Sequence, residues 1–207
     1  MNNQNSSWLL DSQTRASNPG RVHVNRITWL VNYLLWPVTW SVPLGLAVVF
    51  ALLLHWSIWF AAALLLLVNW LYWQQVYTHF SERCANPGMV VQTNPVLIAV
   101  ATDLTKGVGA FPAVKIFEKN MKTVNGLPPQ PGTRLATIAL YSASANDEDP
   151  HWEDFDPRPV NCGNSSPAAV QQVMATFTES DWQNLHYAIN TLPRPFVPGL
   201  YHVKSGF

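Results

Sequence analysis

Charge is scarce in this chain. Only 12% of its 207 residues are Asp, Glu, Lys or Arg, roughly half the share of an ordinary globular domain. Twelve acids balance twelve bases, and no Lys/Arg cluster occurs. A basic nucleic-acid binder is thereby excluded. Cysteine is scarce too, and two residues cannot staple a disulfide scaffold. Disorder is excluded from the other side: 48% of the residues are hydrophobic, with ten Trp in the chain, whereas disordered chains combine low hydrophobicity with high net charge. Catalytic and phosphate-binding signatures are missing as well. The sequence contains no HExxH, no G-x-S-x-G elbow and no GxxxxGK[ST] loop. Lys106-Gly107-Val108-Gly109 sets its Lys before the glycines and reads as a hairpin turn.

The charges that exist are unevenly placed. Between Arg26 and Glu82 lie 55 residues, Ile27 to Ser81, without one Asp, Glu, Lys or Arg. A charged side chain at a bilayer centre costs about 2.5–3.5 kcal/mol on insertion scales, so a long vacancy rich in Leu, Val, Ala, Phe and Trp predicts lipid contact. One helix needs about 20 residues to cross ~30 Å of hydrocarbon. As one straight helix the vacancy would reach roughly 80 Å, so two crossings fit better. His55-Trp56-Ser57 is the polar interruption at its apolar centre. This predicts a hairpin over residues 37–80, with helix A at about Pro37–Leu54 and helix B at about Ile58–Tyr77. Pro43 opens a second version: a helix A starting there would hold 12 residues, reach about 18 Å, and dip in and return.

Trp and Tyr prefer the headgroup level. Folding the chain at His55 brings Trp36 and Trp40 to the level of Trp70 and Trp73 and leaves Trp56 and Trp59 at the opposite interface; these six are the expected membrane anchors. Arg15, Arg21 and Arg26 precede the vacancy, Arg83 and Lys106 follow it, and the turn carries no charge. The bias of positive flanks toward the cytoplasm predicts both termini there. A signal peptide is excluded because its apolar region runs ~7–15 residues.

Around the hairpin, residues 1–20 are polar and small and predict a flexible tail, with Trp8-Leu9-Leu10 its lone apolar triplet. Arg21, Asn25, Thr28 and Asn32 follow helical spacing opposite Val24, Ile27, Leu30 and Val31. That pattern predicts an interfacial amphipathic helix over 21–36, with packing on the soluble part as its alternative. Asn69 in helix B predicts either an internal bond to helix A or self-association.

Residues 84–207 suffice for one small core. Met89–Thr93, Pro95–Thr102, Ala113–Lys119 and Arg134–Tyr141 carry strand patterns. Ser165-Ser166-Pro167 opens a helix over 168–176, and Thr178-Glu-Ser-Asp caps a second helix carrying Trp182, Leu185 and Ile189. Phe196–Val203 is expected to close the domain as a last strand. The expected fold is a two-helix transmembrane, or re-entrant, hairpin followed by a small α+β cytoplasmic domain.

The stretch Asp147–Asp156 holds six acids together with His151, but its spacing matches no metal loop. It reads as a solvated loop whose Trp152 and Phe155 pack back on the domain. No metal and no cofactor are expected. His151, Asp154 and Cys162 are the first suspects should a catalytic site exist, although acidic neighbours would raise the Cys162 thiol pKa. Cys84 is juxtamembrane, the setting for palmitoylation. Asn164-Ser165-Ser166 fits the glycosylation pattern, which a cytoplasmic location makes irrelevant. The functional expectation is a membrane-anchored adaptor or assembly factor whose partners are the bilayer and a protein partner or a second copy. A tethered enzyme or ligand-binding domain is the alternative, with a channel or transporter subunit as a weaker one.

Overall fold

The structure, a computed structural model, describes residues 17–106, 109–124, 126–143 and 149–203. The Trp8–Leu10 triplet, Gly107, Val108, Asp147 and Glu148 lie outside the described residues. Strands β1 (Cys84–Thr93), β2 (Val96–Asp103), β3 (Pro112–Glu118), β4 (Arg134–Ser142), β5 (Asp154–Pro159) and β6 (Gly199–His202) form one sheet, in the order β5-β4-β1-β2-β3-β6. Every neighbouring pair is antiparallel.

Two strands depart from the sequence expectation. β1 begins at Cys84 rather than Met89, because Cys84 to Met89 pair residue by residue with Ala139 to Arg134 of β4. Asn86, Pro87 and Gly88 are poor strand formers, and this long-range pairing overrides their local preference. β5 was expected to be solvated loop. Its sequence Asp-Phe-Asp-Pro-Arg-Pro hides a strand that sits at the sheet edge, where prolines leave no ladder bond unmade.

The sheet is curled. Four inter-strand steps separate β5 from β3, about 19 Å if flat at ~4.8 Å per step. Yet Lys115 of β3 lies 2.7 Å from Asp154 of β5 and donates also to the Phe155 carbonyl at 2.6 Å. Strand alternation then sorts the core. Val90, Ile98, Val100, Ala113, Leu135, Ala139 and Phe155 fill the inside of the curl. Leu97, Ala99, Val114 and Ile116 face outward onto α6 (Glu179–Thr191) through Trp182, Leu185 and Ile189. The expected cap of that helix is present as a full capping box between Thr178 and Asp181. The other outer patch, Ala85, Ala136 and Ile138, is covered by Val170 and Val173 of α5 (Pro167–Met174) and Val160 of α4 (Val160–Gly163).

Three helices precede the sheet. α1 (Arg26–Asn32) is far shorter than the stretch expected over 21–36. Asn25, expected within a helical stripe, instead caps it, accepting from the amides of Ile27 and Thr28. Residues 20–22 are not helical, with Arg21 at a φ of +52°, and their amides bond Arg83, Ser81 and Phe80. The expected tail over 1–20 ends earlier too, since Ala85 donates to Asn18 and Pro19 bridges Cys84. Trp29 is buried at 2% exposure among Val76, Phe80 and Val160, whereas Ile27 and Val31 stand 74% and 79% exposed.

α2 (Leu35–Leu53) and α3 (Ile58–Glu82) follow, joined at the turn that His55-Trp56-Ser57 predicted. α2 runs through Pro43, so the short version starting there is not what the chain adopts. α2 is long and apolar enough to cross a membrane, with a mean hydropathy of 1.8. α3 is longer, but Asn69, Gln74 and Gln75 lower the hydropathy of its second half. Asn69 donates to the Ser41 hydroxyl across the two helices at 3.0 Å. The last turns of α3 leave α2 and join the sheet: Phe80 is fully buried, meets Trp29 edge-on at 5.7 Å, and fills the space a side chain at Gly163 would need.

Candidate functional site

Where α1, α2 and α3 meet the curled sheet they leave a crevice of about 790 Å³. One wall is helical, running from Val68 and Leu71 through Val76 to His79, with Trp36 and Trp40 opposite. From Val68 to His79 this wall extends about 17 Å, at ~1.5 Å per residue. The floor comes from the sheet: Phe117 and Lys119 at the end of β3, and Asp156 and Arg158 on β5. The curl is what brings these two strands together beneath one cavity.

The two cations of the floor differ in their partners. Arg158 is held by Asp156 at 3.1 Å and lies over the rings of Trp29 and Tyr33 at 5.6 and 6.0 Å. The Lys119 ammonium sits 3.6 Å from the centre of the Tyr33 ring and donates to the Asn32 carbonyl at 3.4 Å. Among the described residues no carboxylate lies within ion-pair distance of it. Burial pushes its pKa down, and the Arg158 charge adds to that, against the opposing pull of Cys162 and Asp156. Burial likewise pushes the Tyr33 phenol up. On the helical wall, His79 donates from Nε2 to the Ile138 carbonyl at 3.0 Å. Burial, with the Arg158 charge second, pulls its pKa down to about 3, so the ring is neutral.

The three catalytic suspects have separate partners, and none lines this crevice or the smaller cavity of about 250 Å³ beside Asp103 and Asp181. The His151 ring leans on Phe111 at 4.6 Å, and Thr105 bridges its backbone. Asp154 is bound to Lys115 inside the curl. Cys162 is buried, and burial raises its thiol pKa to about 11. The expected acidic cause is corrected: the neighbours that act on the thiol are Lys119 and Tyr33, and both pull the other way. Trp152 and Phe155 do pack against the core inside the curl. Asn164 has its amide engaged, donating to His23 and accepting from Ser166.

Of the six expected anchors, Trp36, Trp56, Trp59 and Trp70 are exposed, while Trp40 and Trp73 are half-buried. Arg26 reaches the aromatic residues in the last third of α3, bonding the Tyr77 hydroxyl at 2.6 Å and lying over Trp73 at 5.3 Å. Sequence reasoning missed Lys119, Arg158, Tyr33 and Trp29 as a group. Each is an isolated residue in its own segment, and only the curl and the docking of α1 unite them.

No curated protein matches the chain. One solved structure is similar, that of a "putative membrane protein" from Corynebacterium diphtheriae: 15% identity, TM-score 0.46, covering 57% of this chain and 99% of that one. Residues 73–192 match the model of a family described as a protein of unknown function, DUF3239. That match takes in the end of α3, β1 to β5 and the helices that cover them, and the chain belongs to this family.

Proposed function

We propose that the chain is a membrane-anchored binding protein, an adaptor or assembly factor, whose sheet domain works at the cytoplasmic face. In this reading α2 and Ile58–Tyr77 of α3 cross the bilayer as a hairpin. Trp36, Trp40, Trp70 and Trp73 lie at the cytoplasmic interface and Trp56 and Trp59 at the other. Both termini are cytoplasmic, following the Arg/Lys bias of the flanks.

The observation that carries the reading is the outward surface of the helices. Leu46, Phe50, Leu53, Phe60, Leu64 and Leu67 are all exposed, in a stretch with no charge. Water would leave such a surface as a large apolar patch, which monomeric soluble proteins rarely carry. Ile27 and Val31 of α1 continue that exposed apolar surface toward the sheet domain. Separate partners for His151, Asp154 and Cys162 give the enzyme alternative no support, and binding remains the activity that the crevice suits.

Single cysteines at Asn18, Ser57 and His202, in a chain lacking its own two, test the placement with an impermeant maleimide. The reading expects Ser57→Cys to label in intact cells, and Asn18→Cys and His202→Cys to label only after permeabilisation. Labels on opposite faces for the latter two, or a full-length chain that stays dispersed without detergent, would overturn it. Crosslinking in native membranes tests the adaptor role, and recovery of no protein partner there counts against it.

A further inference from the structure

We propose that the crevice holds one anionic phospholipid of the host bilayer, its phosphate on Lys119 and Arg158 and its chains along Trp36, Trp40, Val68 and Leu71. The proposal rests on the bilayer placement above and deepens it by naming the ligand class.

Three features of the crevice point to this ligand together. Its walls are mostly aromatic and aliphatic, with Gln74, Gln75 and Thr78 among them, and α2 and α3 carry exposed apolar residues beyond it, so a small soluble anion would leave most of the lining unmatched. Its floor carries an ammonium that has no carboxylate within ion-pair distance among the described residues and a guanidinium only part-neutralised by the exposed Asp156. Phosphate oxygens suit both donors. The third feature rejects choline lipids. Quaternary ammonium groups bind on aromatic faces, but here Lys119 already covers Tyr33 at 3.6 Å and Arg158 lies over Trp29 at 5.6 Å. A choline headgroup would bring one more cation to a crevice already lined by Lys119, Arg158 and Arg83.

The half-buried setting of Lys119 makes the contact strong, because a charge-assisted bond gains where water is excluded. It also explains the depressed basicity of Lys119, which an anion would reverse. Glu118 lines the same cavity but stands exposed at its rim.

The test uses the full-length chain reconstituted in vesicles of equal parts phosphatidylglycerol and phosphatidylcholine. Bromine is carried on the acyl chains of one lipid or of the other, so the surface potential is identical in the two arms. Bromine quenches nearby Trp. The proposal expects brominated phosphatidylglycerol to quench a subset of the Trp emission with an association constant about tenfold that of the choline lipid, the scale of one or two charge-assisted bonds. Lys119→Gln with Arg158→Gln should bring the ratio to about one, while Lys119→Arg with Arg158→Lys should keep most of it. Equal quenching of the wild-type chain by both lipids overturns the site and leaves the bilayer placement standing. Preference surviving the double Gln variant also overturns it. Quenching by neither lipid removes the bilayer placement itself. Should the Gln pair fail to fold, the wild-type ratio and the conservative pair still decide.

Discussion

The α2–α3 pair and the curled sheet sort their side chains in opposite directions. In the sheet domain the large residues are inside: Ile98, Leu135, Ile138, Phe155 and Leu185 are fully buried. In the helix pair between Val38 and Gln75 the buried positions are small, Ala47, Ala51 and Ala62, and most of the Leu, Phe and Trp residues are exposed. Charge follows the same inversion. The curl encloses the Lys115–Asp154 pair, while the helix pair relies on a single amide–hydroxyl bond between Asn69 and Ser41. Small residues at the contact and large ones outside are how helices associate when their surroundings are as apolar as they are. One chain thus holds two solutions to burial, suited to two solvents, and Phe80 joins them.

The largest expected effect breaks the comparison at that joint. Phe80 belongs to α3 by sequence but to the sheet core by burial, against Trp29 and Gly163. Phe80→Ala should cost about 3–5 kcal/mol in the sheet domain, the range for a buried aromatic. Denaturant unfolding followed by far-UV dichroism would show it, and a loss under 1 kcal/mol would mean that the joint is not a core. Next in size is Leu46→Lys on the outward face of α2. On a water-facing helix this change stays within about 0.5 kcal/mol. Facing lipid it costs about 2.5–3.5 kcal/mol, read as a fall in the inserted fraction in a translocon-insertion assay. A neutral result would put the helix pair in the same solvent as the sheet.

The sequence makes these two regions legible to different depths. The helix pair can be read because its signal is local: 55 consecutive residues without charge, broken at His55-Trp56-Ser57. Four strand patterns and the Thr178–Asp181 cap are likewise local. Hidden features are those that exist only after folding. β5 looks like loop, since nothing in Asp-Phe-Asp-Pro-Arg-Pro announces that β4 will pair it. Asp154 looks solvated because its partner, Lys115, lies 39 residues away. α1 is short because residues 20–22 are tied to the end of α3, which hydrophobic periodicity cannot register. The floor of the crevice belongs to this second class, as Lys119 and Arg158 meet through the curl alone.

Two intermediate effects sharpen the contrast within the sheet domain. Lys115→Met removes the ion pair and the bond to the Phe155 carbonyl and leaves Asp154, about a third exposed, unpaired. The cost should be about 1–3 kcal/mol, and adding Asp154→Asn should restore part of it in a double-mutant cycle. Additive losses would deny that the pair closes the curl. The second effect is acidity at the joint. His79 lies beyond the proposed span, and its folded pKa of about 3 is far below the ordinary 6.5. The unfolded chain takes up this proton first as pH falls, so the stability His79 contributes is present above pH 6.5 and is lost between there and about 3. His79→Gln should flatten that part of the stability-against-pH curve relative to wild type, measured by urea midpoints. An unchanged slope would mean that the ring is solvated.

The smallest effect probes the helix pair from inside. Asn69 donates one amide N–H to Ser41 within one chain, the internal bond rather than a bond to a second copy being the contact this prediction tests. Such bonds average about 0.6 kcal/mol in lipid, because the separated helices also find polar partners. Asn69→Leu should therefore lower the unfolding free energy in mild detergent by about that much and leave the particle size unchanged. The same change on a Ser41→Ala background should cost nothing further, since the bond is already gone. Dissociation of an oligomer by Asn69→Leu would assign the amide to self-association. A loss of several kcal/mol would show that the helix pair depends on polar contacts as the curl does, and the inversion between the two regions would fail at its centre.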